Sequence, residues 1–191
     1  MDTMVAQRRC YAKKILLAGI CCLNKTVYTG IYRYILFYMF LQNVVQMLER
    51  HRIKYALVGG YAVALHGAIR GTVDIDIVTA LTKTSLDSAE SALGEIGLQS
   101  RLPVTAADVY RFRKEYIENR NLVAWSFINP DNPLEVVNIL ITDDVKNIKT
   151  VTRQAFGIKI KLAAIPDLIA LKKKAGRPQD IEDIRMLEKL L

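Results

Sequence analysis

This chain of 191 residues is long enough for one domain with a sizeable core, and its 51% hydrophobic and 24% charged residues are typical of a globular protein. The composition excludes a largely disordered chain and a solenoid of repeats. The formal net charge is +8, but residues 1–54 hold nine basic against two acidic residues, whereas residues 55–191 hold 18 against 17. Because phosphate affinity depends on clustered positive charge, this distribution argues against a broad nucleic-acid surface on the main part of the chain.

The first residues have the features of an extension. The cysteines are Cys10, Cys21 and Cys22. Their number and spacing match neither a metal site nor a disulfide framework, which favours a reducing compartment and a cytoplasmic location. Basic residues at 8–14 and the apolar run 15–23 are typical of a secretory signal, but no small-x-small cleavage site follows. A second apolar run at 34–41 is too short to cross a bilayer, so we predict no membrane insertion.

Hydrophobic residues recur at helical spacing directly after Met39. They are Phe40, Leu41, Val44, Val45 and Leu48. This spacing predicts an amphipathic helix that ends near His51. We hypothesise that residues 39–191 form the functional domain and that residues 1–38 are an upstream-start extension or a loosely attached arm, with a signal peptide as the alternative.

The pattern of the next residues predicts short strands and helices. The predicted elements are a strand at Tyr55–Val58, a helix at Tyr61–His66, a strand at Val73–Ala80 and a helix that Ser85 caps and Gly97 ends. Residues 98–120 show no clear pattern.

The second half of the chain predicts two hairpins and two helices. The first hairpin joins 121–128 to 134–141, the second joins 150–155 to 158–162, and the helices cover Ile165–Ala175 and Gln179–Leu191. The order of the elements favours an α+β or mixed α/β domain over a doubly wound parallel sheet.

Gly59 and Gly60 follow the first predicted strand. Because glycine has no Cβ, the chain can turn sharply there and its N–H groups can approach a phosphate. The alternative is a tight strand-to-helix turn, which a glycine pair alone favours.

Asp74 and Asp76 lie on the second predicted strand, and residues two apart on a strand point to the same face. Two adjacent carboxylates in an apolar strand repel each other and lose solvation, and a divalent cation offsets that cost. Mg²⁺ fits best, since it takes oxygen ligands and shares them with substrate phosphates. The alternative is the exposed face of an edge strand.

Two further polar residues lie between the glycines and the aspartates. Arg70 can brace a phosphate or the carboxylates, and its alternative is a surface arginine. His66 lies in a small apolar helix, where a histidine is more often packed or capping than catalytic.

The run from Gly59-Gly60 through Arg70 to Asp74-Ile-Asp76 resembles the signature of the nucleotidyltransferase (DNA polymerase β-like) superfamily, in the branch of AbiEii-like toxins and minimal nucleotidyltransferases. Residues 167–183 also resemble the Lys, Arg and Asp pattern of that branch's C-terminal helices. The resemblance covers about residues 39–191. It implies a mixed sheet flanked by helices, a glycine turn that contacts the triphosphate of an NTP, and Mg²⁺ bound by the two aspartates.

In this superfamily a third carboxylate on a later strand completes the metal site and helps to deprotonate the attacking hydroxyl. The matching position here is Asn138, and Glu135 is the only acid on that strand. Asn138 can offer a carbonyl oxygen to a metal but cannot take a proton. Glu135 is three residues away and points to the other face of a regular strand, although a β-bulge can re-aim it.

The C-terminal pattern holds the remaining candidates for nucleotide binding. By resemblance, Lys172 lies near the phosphates, Asp180 orients it, and Arg177 belongs to the same group. The alternative is a solvated helix face whose charges form surface ion pairs.

Two functions are consistent with these residues. The first is an Mg²⁺-dependent nucleotidyltransferase that moves a nucleoside monophosphate from an NTP to a hydroxyl. The resemblance to AbiEii-like toxins implies RNA, including a tRNA end, as the acceptor and an antitoxin as the partner. The second function, suggested by Asn138, is a catalytically weakened module that binds nucleotide or RNA.

Overall fold

The computed structural model describes residues 25–155 and 157–191, with side chains described from Tyr38 onward. The chain divides into two units, Met1–Leu36 and Phe37–Leu191. The three cysteines and the signal-like runs at 8–14 and 15–23 lie outside the described residues. Within the described residues, no helix is long and apolar enough to cross a membrane.

Six α-helices, one 3₁₀-helix and seven strands make up the described part of the chain. The helices are α1 (Lys25–Arg50), α2 (Gly59–Leu65), α3 (Lys83–Glu95), α4 (Ala106–Arg120), α5 (Ile165–Ala175) and α6 (Pro178–Glu188), with the 3₁₀-helix at Val145–Asn147. The strands are β1 (Tyr55–Val58), β2 (Ile75–Thr79), β3 (Gln99–Ser100), β4 (Ala124–Asn129), β5 (Asn132–Leu140), β6 (Thr150–Ala155) and β7 (Ile158–Ala163).

The seven strands form one mixed sheet in the order β3-β4-β5-β2-β1-β7-β6. β1 pairs with β7, and β2 with β5, in parallel, while the other neighbours are antiparallel. Parallel neighbours need long crossover connections, and the crossover from β2 to β5 carries α3 and α4. This mixed sheet flanked by helices confirms the predicted fold class.

An apolar cluster covers each face of the sheet. Successive residues of a strand point to opposite faces, so Leu57 joins the larger cluster, with α1, α3 and α4, and Val58 joins the smaller one, with α2, α5 and α6. On β2, Ile75 and Ile77 belong to the larger cluster. Asp76 lies between them and therefore points to the face that α2, α5 and α6 cover.

The helix predicted after Met39 is confirmed. All five residues of its predicted apolar face are at most 5% exposed. The helix begins upstream at Lys25 and ends at Arg50, just before Arg52 takes a left-handed conformation with φ +55°. Burial of this face against the sheet stabilises the helix, because helices in proteins depend mainly on such packing.

Two predictions for residues 82–120 were wrong or incomplete. Thr82, not Ser85, caps α3, and its hydroxyl oxygen accepts the backbone N–H of Ser85. Residues 98–120, which showed no clear pattern, form β3 and α4. A capping box of Thr105 and Asp108 begins α4, and this local signal lies in the sequence although the helix buries few residues.

The remaining elements agree with the prediction apart from their ends. Both hairpins are present, and the first has a shorter loop than predicted because β5 begins at Asn132. Helix α5 has the predicted bounds, and α6 begins at Pro178, directly after Gly176 with φ +65° and Arg177. The second strand is shorter than predicted, since β2 begins at Ile75 and leaves Asp74 in a bend before it.

Candidate functional site

The site forms where β1 ends beside the start of β2. Val58, the last residue of β1, is paired with Asp76, so Gly59 follows directly next to that carboxylate. A Cβ atom on Gly59 would lie 1.9 Å from Asp76 Oδ2, and Gly59 has φ +63°. Only glycine meets both conditions without strain.

Gly60 makes a second close contact, with the loop that precedes β2. A Cβ atom there would lie 2.6 Å from the Thr72 Cβ atom. The two glycines thus hold the first turn of α2 against Thr72 on one side and Asp76 on the other. Their pattern in the sequence predicted a sharp turn, and the structure adds the packing partners.

Asp76 lies at the end of a polar row that crosses three neighbouring strands. Asn138 on β5 is paired with Asp76 on β2, and Ser126 on β4 is paired with Asn138. The Asn138 Nδ2 atom donates to Asp76 Oδ1 at 3.0 Å, and Ser126 Oγ donates to Asn138 Oδ1 at 2.7 Å. Asn138, the predicted third position, therefore contacts Asp76 through its amide nitrogen and not through its carbonyl oxygen.

The electrostatic environment disfavours the charge on Asp76. Burial raises the pKa of the Asp76 carboxyl, the hydrogen bond from Asn138 acts against this, and the nearby charge of Asp74 raises the pKa further. Arg177 and Lys172 both lower the pKa of Asp76 through their positive charges. The net direction is upward, so the ionised carboxylate is held at a cost in free energy.

Asp74 is exposed and lies in the bend before β2, which corrects the prediction that it belongs to the strand. The strand is shorter because pairing with β1 ends at the pair of Val58 and Asp76. Burial, with charge effects from Tyr38 and Asp74, raises the pKa of Tyr61 to about 12. Asp74 thus acts on both Asp76 and the first turn of α2.

Glu135 has a different environment from Asp76. Ile128 is paired with Val136 but Asn129 is paired with Asn132, so β5 carries three extra residues, 133–135, at this irregularity. Asn129 Nδ2 donates to Glu135 Oε2 at 2.7 Å, at the turn of the hairpin. The structure gives Glu135 an amide partner of its own and shows no contact with the two aspartates.

The C-terminal candidates form an ion network between α5 and α6, in which Lys172 and the carboxylates are buried and Arg177 is exposed. Lys172 is 4% exposed, and its Nζ lies 3.2 Å from Asp180 Oδ1 and 2.6 Å from Asp183 Oδ2. Arg177 Nε donates to Asp180 Oδ2 at 2.8 Å. Arg70 Nε lies 3.1 Å from Asp183 Oδ1 as an ion pair without hydrogen-bond geometry. The alternative of a solvated helix face is wrong for Lys172.

Hydrogen bonds within the ion network shift the pKa values of Asp180 and Arg177 towards their charged forms. Burial acts to raise the pKa of Asp180, but the hydrogen bonds from Arg177 and Lys172 outweigh it and the net shift is downward. The hydrogen bond to Asp180 also raises the pKa of Arg177. The network contains the three cations Arg70, Lys172 and Arg177 and the two carboxylates Asp180 and Asp183, so it carries one net positive charge. Two of these cations, Lys172 and Arg177, lower the pKa of Asp76.

Two contributors were missed at the sequence level, Thr72 and Ser126, while Asp183 was part of the C-terminal pattern but was considered only as a partner in surface ion pairs. A signal for Asp183 exists, because Asp180, Asp183 and Leu187 are spaced as one helix face and all three are buried. No comparable signal exists for Ser126, since its neighbours depend on the register between strands.

His66 has a structural role, as predicted from its apolar surroundings. Its Nε2 atom lies 2.9 Å from the carbonyl oxygen of Ala163, so the ring links the end of α2 to the end of β7. A carbonyl oxygen only accepts, so Nε2 carries the proton and donates.

The donor set at Asp74 and Asp76 fits a magnesium ion. Mg²⁺ is usually held by one or two carboxylates and completes its shell with water and substrate phosphates. Asp76 packs so closely against Gly59 that its carboxylate occupies the space a Cβ atom at Gly59 would need. This packing restricts the position of one of the two carboxylates. Among the described residues, no group of three or more His, Cys, Asp or Glu side chains could hold a metal ion.

A family model described as a nucleotidyltransferase of unknown function (DUF6036) matches residues 37–189. Comparison with curated protein sequences gives no match.

The chain is also similar to solved structures. The lincomycin-bound lincosamide antibiotic adenylyltransferase LnuA has 16% sequence identity and a TM-score of 0.55, over 80% of this chain and 97% of that one. The complex of ANT(2")-Ia with adenylyl-2"-tobramycin has 12% identity and a TM-score of 0.51, over 80% and 91%. An antigenic nucleotidyltransferase-like protein from Paracoccidioides brasiliensis has 18% identity and a TM-score of 0.49, over 76% and 72%. At these identities the first two similarities show a shared fold.

The contact between Gly59 and Asp76 gives a test of the site's geometry. We expect Gly59→Ala to lower the free energy of unfolding by about 1–2 kcal/mol for its left-handed conformation and by about 1–3 kcal/mol more for the overlap with Asp76. Gly97→Ala is the matched control, since Gly97 has φ +85° and nothing within 4 Å of an added Cβ. Urea denaturation measures both variants. Equal losses would contradict the contact. Asp76→Gly should remove the extra loss of Gly59→Ala, whereas Asp76→Ala should remove only part of it, because the Asp76 Cβ atom itself lies 2.8 Å from the added Cβ.

The ion network gives a second test. We expect Lys172→Met to lower the free energy of unfolding by about 3–5 kcal/mol, because it leaves two buried carboxylates without their shared cation. Lys173→Met, at the exposed neighbouring position, should change it by no more than about 0.5 kcal/mol. Denaturant unfolding of the two variants decides the point, and a small loss for Lys172→Met would show that the network does not stabilise the fold.

Proposed function

Because the chain belongs to the DUF6036 family of nucleotidyltransferases of unknown function, we propose that it transfers a nucleoside monophosphate from an NTP to a hydroxyl acceptor with the help of Mg²⁺. One observation carries the proposal. A partly buried carboxylate, Asp76, is held against the backbone of Gly59, close to the positive charges of Lys172 and Arg177. Metal-binding oxygens, a backbone turn and cations are the groups that phosphoryl transfer requires.

Each group has a role in the proposed reaction. Asp74 and Asp76 would hold Mg²⁺, which neutralises charge on the α-phosphate and on the leaving group. The turn at Gly59 and Gly60 would contact the triphosphate, as the resemblance implies, and Gly59 would make that contact because Gly60 is buried. Lys172 contributes positive charge, although its ammonium group already contacts two carboxylates, so it acts through the field at the site.

The proposed transfer balances as a displacement at phosphorus. The acceptor oxygen forms a bond to the α-phosphorus, the bond from that phosphorus to the bridging oxygen of the β-phosphate breaks, and pyrophosphate leaves. The acceptor proton passes to water or to an aspartate, because Asn138 has no basic site for it. Arg70 and Arg177 support the site indirectly, since each is paired with a buried carboxylate of the ion network.

RNA, in particular a tRNA end, is the acceptor that the resemblance to AbiEii-like toxins suggests, with an antitoxin as the protein partner. Small hydroxylated molecules are the alternative acceptors, because two proteins of the same fold are antibiotic adenylyltransferases by name or by bound product. The transfer experiment therefore includes both classes of acceptor.

The second candidate function is nucleotide binding without transfer. The observation that favours it is the amide of Asn138, which occupies the register position opposite Asp76 and donates a hydrogen bond to it. A carboxylate at that position would bind the metal and accept a proton. The amide does neither in the observed orientation.

We expect the full chain to transfer label from α-³²P-NTPs with Mg²⁺ to total RNA or to an aminoglycoside or lincosamide. Asp76→Asn should reduce transfer by at least about 10²-fold. At pH 7 the same variant should be as stable as the wild type or more stable, because burial raises the pKa of Asp76 and the neutral amide avoids the cost of its charge.

Asp87→Asn on the exposed face of α3 is the matched control and should leave transfer unchanged. Nucleotide binding by the wild type without transfer to any acceptor would favour the second function. Transfer that survives in Asp76→Asn would contradict the assignment of the site.

Asn138→Asp tests the importance of the missing carboxylate. Without a metal, a second carboxylate beside Asp76 should lower Tm, because like charges on paired positions repel. Mg²⁺ should then raise the Tm of this variant by several degrees more than that of the wild type, since a ligand of the folded state stabilises it.

Asn129→Asp is the matched control, because Asn129 also donates to a carboxylate, that of Glu135, away from the proposed metal site. Its Tm should fall without a special response to Mg²⁺. An equal response of both variants to Mg²⁺ would show that Asn138 does not lie at a metal site.

A further inference from the structure

The polar row of Ser126, Asn138 and Asp76 has only one arrangement of donors that satisfies all three side chains. A carboxylate that binds a metal is ionised and only accepts hydrogen bonds. Asn138 must therefore turn its amide nitrogen towards Asp76, as observed at 3.0 Å. Its carbonyl oxygen then faces Ser126 and only accepts, so the Ser126 hydroxyl must donate, at 2.7 Å.

The row and the glycine turn hold Asp76 from two sides. Its Oδ1 atom accepts from Asn138, while its Oδ2 atom lies towards Gly59, where an added Cβ would be 1.9 Å away. A carboxylate that accepts a hydrogen bond at one oxygen and packs against the backbone at the other cannot rotate freely. A fixed carboxylate binds an ion with a smaller loss of side-chain entropy than a free one.

We infer that Ser126 is a positioning residue for the candidate metal site, and that Asn138 serves as the hydrogen-bond donor that orients Asp76 and not as a ligand of the metal. This inference rests on the proposed function, because it assumes that Asp76 binds a divalent cation. Groups that orient a metal ligand in this way typically change metal affinity by about 10- to 100-fold when they are removed. Ser126 lies two strands away from Asp76 and acts only through Asn138.

A purely structural role for Ser126 predicts a different result. In that case the loss of its hydroxyl lowers stability and leaves the metal site unchanged. Ser100 provides a control with such a role, because its Oγ accepts the indole N–H of Trp125 at 2.9 Å on the neighbouring pair of strands. A serine-to-alanine change at either position removes one hydrogen bond to a side chain, and at Ser100 it also removes the bond that Oγ donates to the carbonyl oxygen of Leu102 at 2.6 Å.

The test measures Mn²⁺ binding to the full chain by electron paramagnetic resonance. We expect Ser126→Ala to raise the Kd for Mn²⁺ by about 10-fold or more. Ser126→Thr keeps the hydroxyl and should restore most of the affinity. Ser100→Ala should lower Tm at least as much as Ser126→Ala, because it removes two hydrogen bonds, and should leave the Kd unchanged.

A second measurement reports on Asn138 directly. The side-chain NH₂ signals of Asn138, assigned by their absence from the ¹⁵N spectrum of Asn138→Asp, should stay hydrogen-bonded when Mg²⁺ is added to the wild type. In Ser126→Ala they should shift and exchange faster with water. Release of the amide on addition of Mg²⁺ would show that Asn138 becomes a ligand and would overturn the inference.

The outcomes separate this inference from the proposed function. If the wild type binds Mn²⁺, Asp76→Asn does not, and Ser126→Ala binds as tightly as the wild type, the inference about Ser126 is wrong and the metal site stands. If neither the wild type nor Asp76→Asn binds Mn²⁺, both the metal site and the inference fail. A higher Kd for Mn²⁺ in Ser126→Ala, together with recovery of the affinity in Ser126→Thr, supports both the metal site and the inference about Ser126.

Discussion

The close packing of the Asp76 carboxylate against Gly59 is the constraint on which the rest of this candidate site depends. Pairing of Val58 with Asp76 brings the end of β1 beside the start of β2, and no side chain larger than hydrogen fits at Gly59. The backbone must then turn with a positive φ angle and enter α2 at once. The glycine pair therefore does more than permit a turn, because it makes room for a charged group that the fold buries at a cost.

That cost is offset from two directions. Asn138 donates to Asp76 along the sheet, and the charges of Lys172 and Arg177 act on it from the C-terminal helices, all three lowering the pKa of Asp76. Asp180 forms ion pairs with both Lys172 and Arg177. The ion network therefore fixes the positions of these two cations and places their positive charge near Asp76. Because Arg70 joins this network through Asp183, the loop before β2 and helix α6 are linked beside the site.

Local signals in the sequence were sufficient for most elements of the fold and for choosing the central residues of the candidate site. Periodicity identified the apolar face of α1, and the glycines with Asp74 and Asp76 identified the region of the site. The contacts between residues far apart in the sequence could not be predicted from it. The amide of Asn138 meets Asp76 because β5 is parallel to β2, and Lys172 is buried because two carboxylates from α6 meet it. A charge run such as residues 172–174 gives no indication of which lysine is inside, since that depends on how α5 packs.

Replacement of a carboxylate by an amide at position 138 changes the direction of a hydrogen bond without changing the size of the side chain. An aspartate there would compete with Asp76 for positive charge, whereas the asparagine stabilises the ionised form of Asp76. In the proposed site, an ion would meet two carboxylates among the described residues, of which Asp74 is exposed. A magnesium ion completes its shell with water and phosphate oxygens. In the proposed function, the triphosphate of the nucleotide is therefore itself a ligand, and metal and nucleotide bind to this site as one unit.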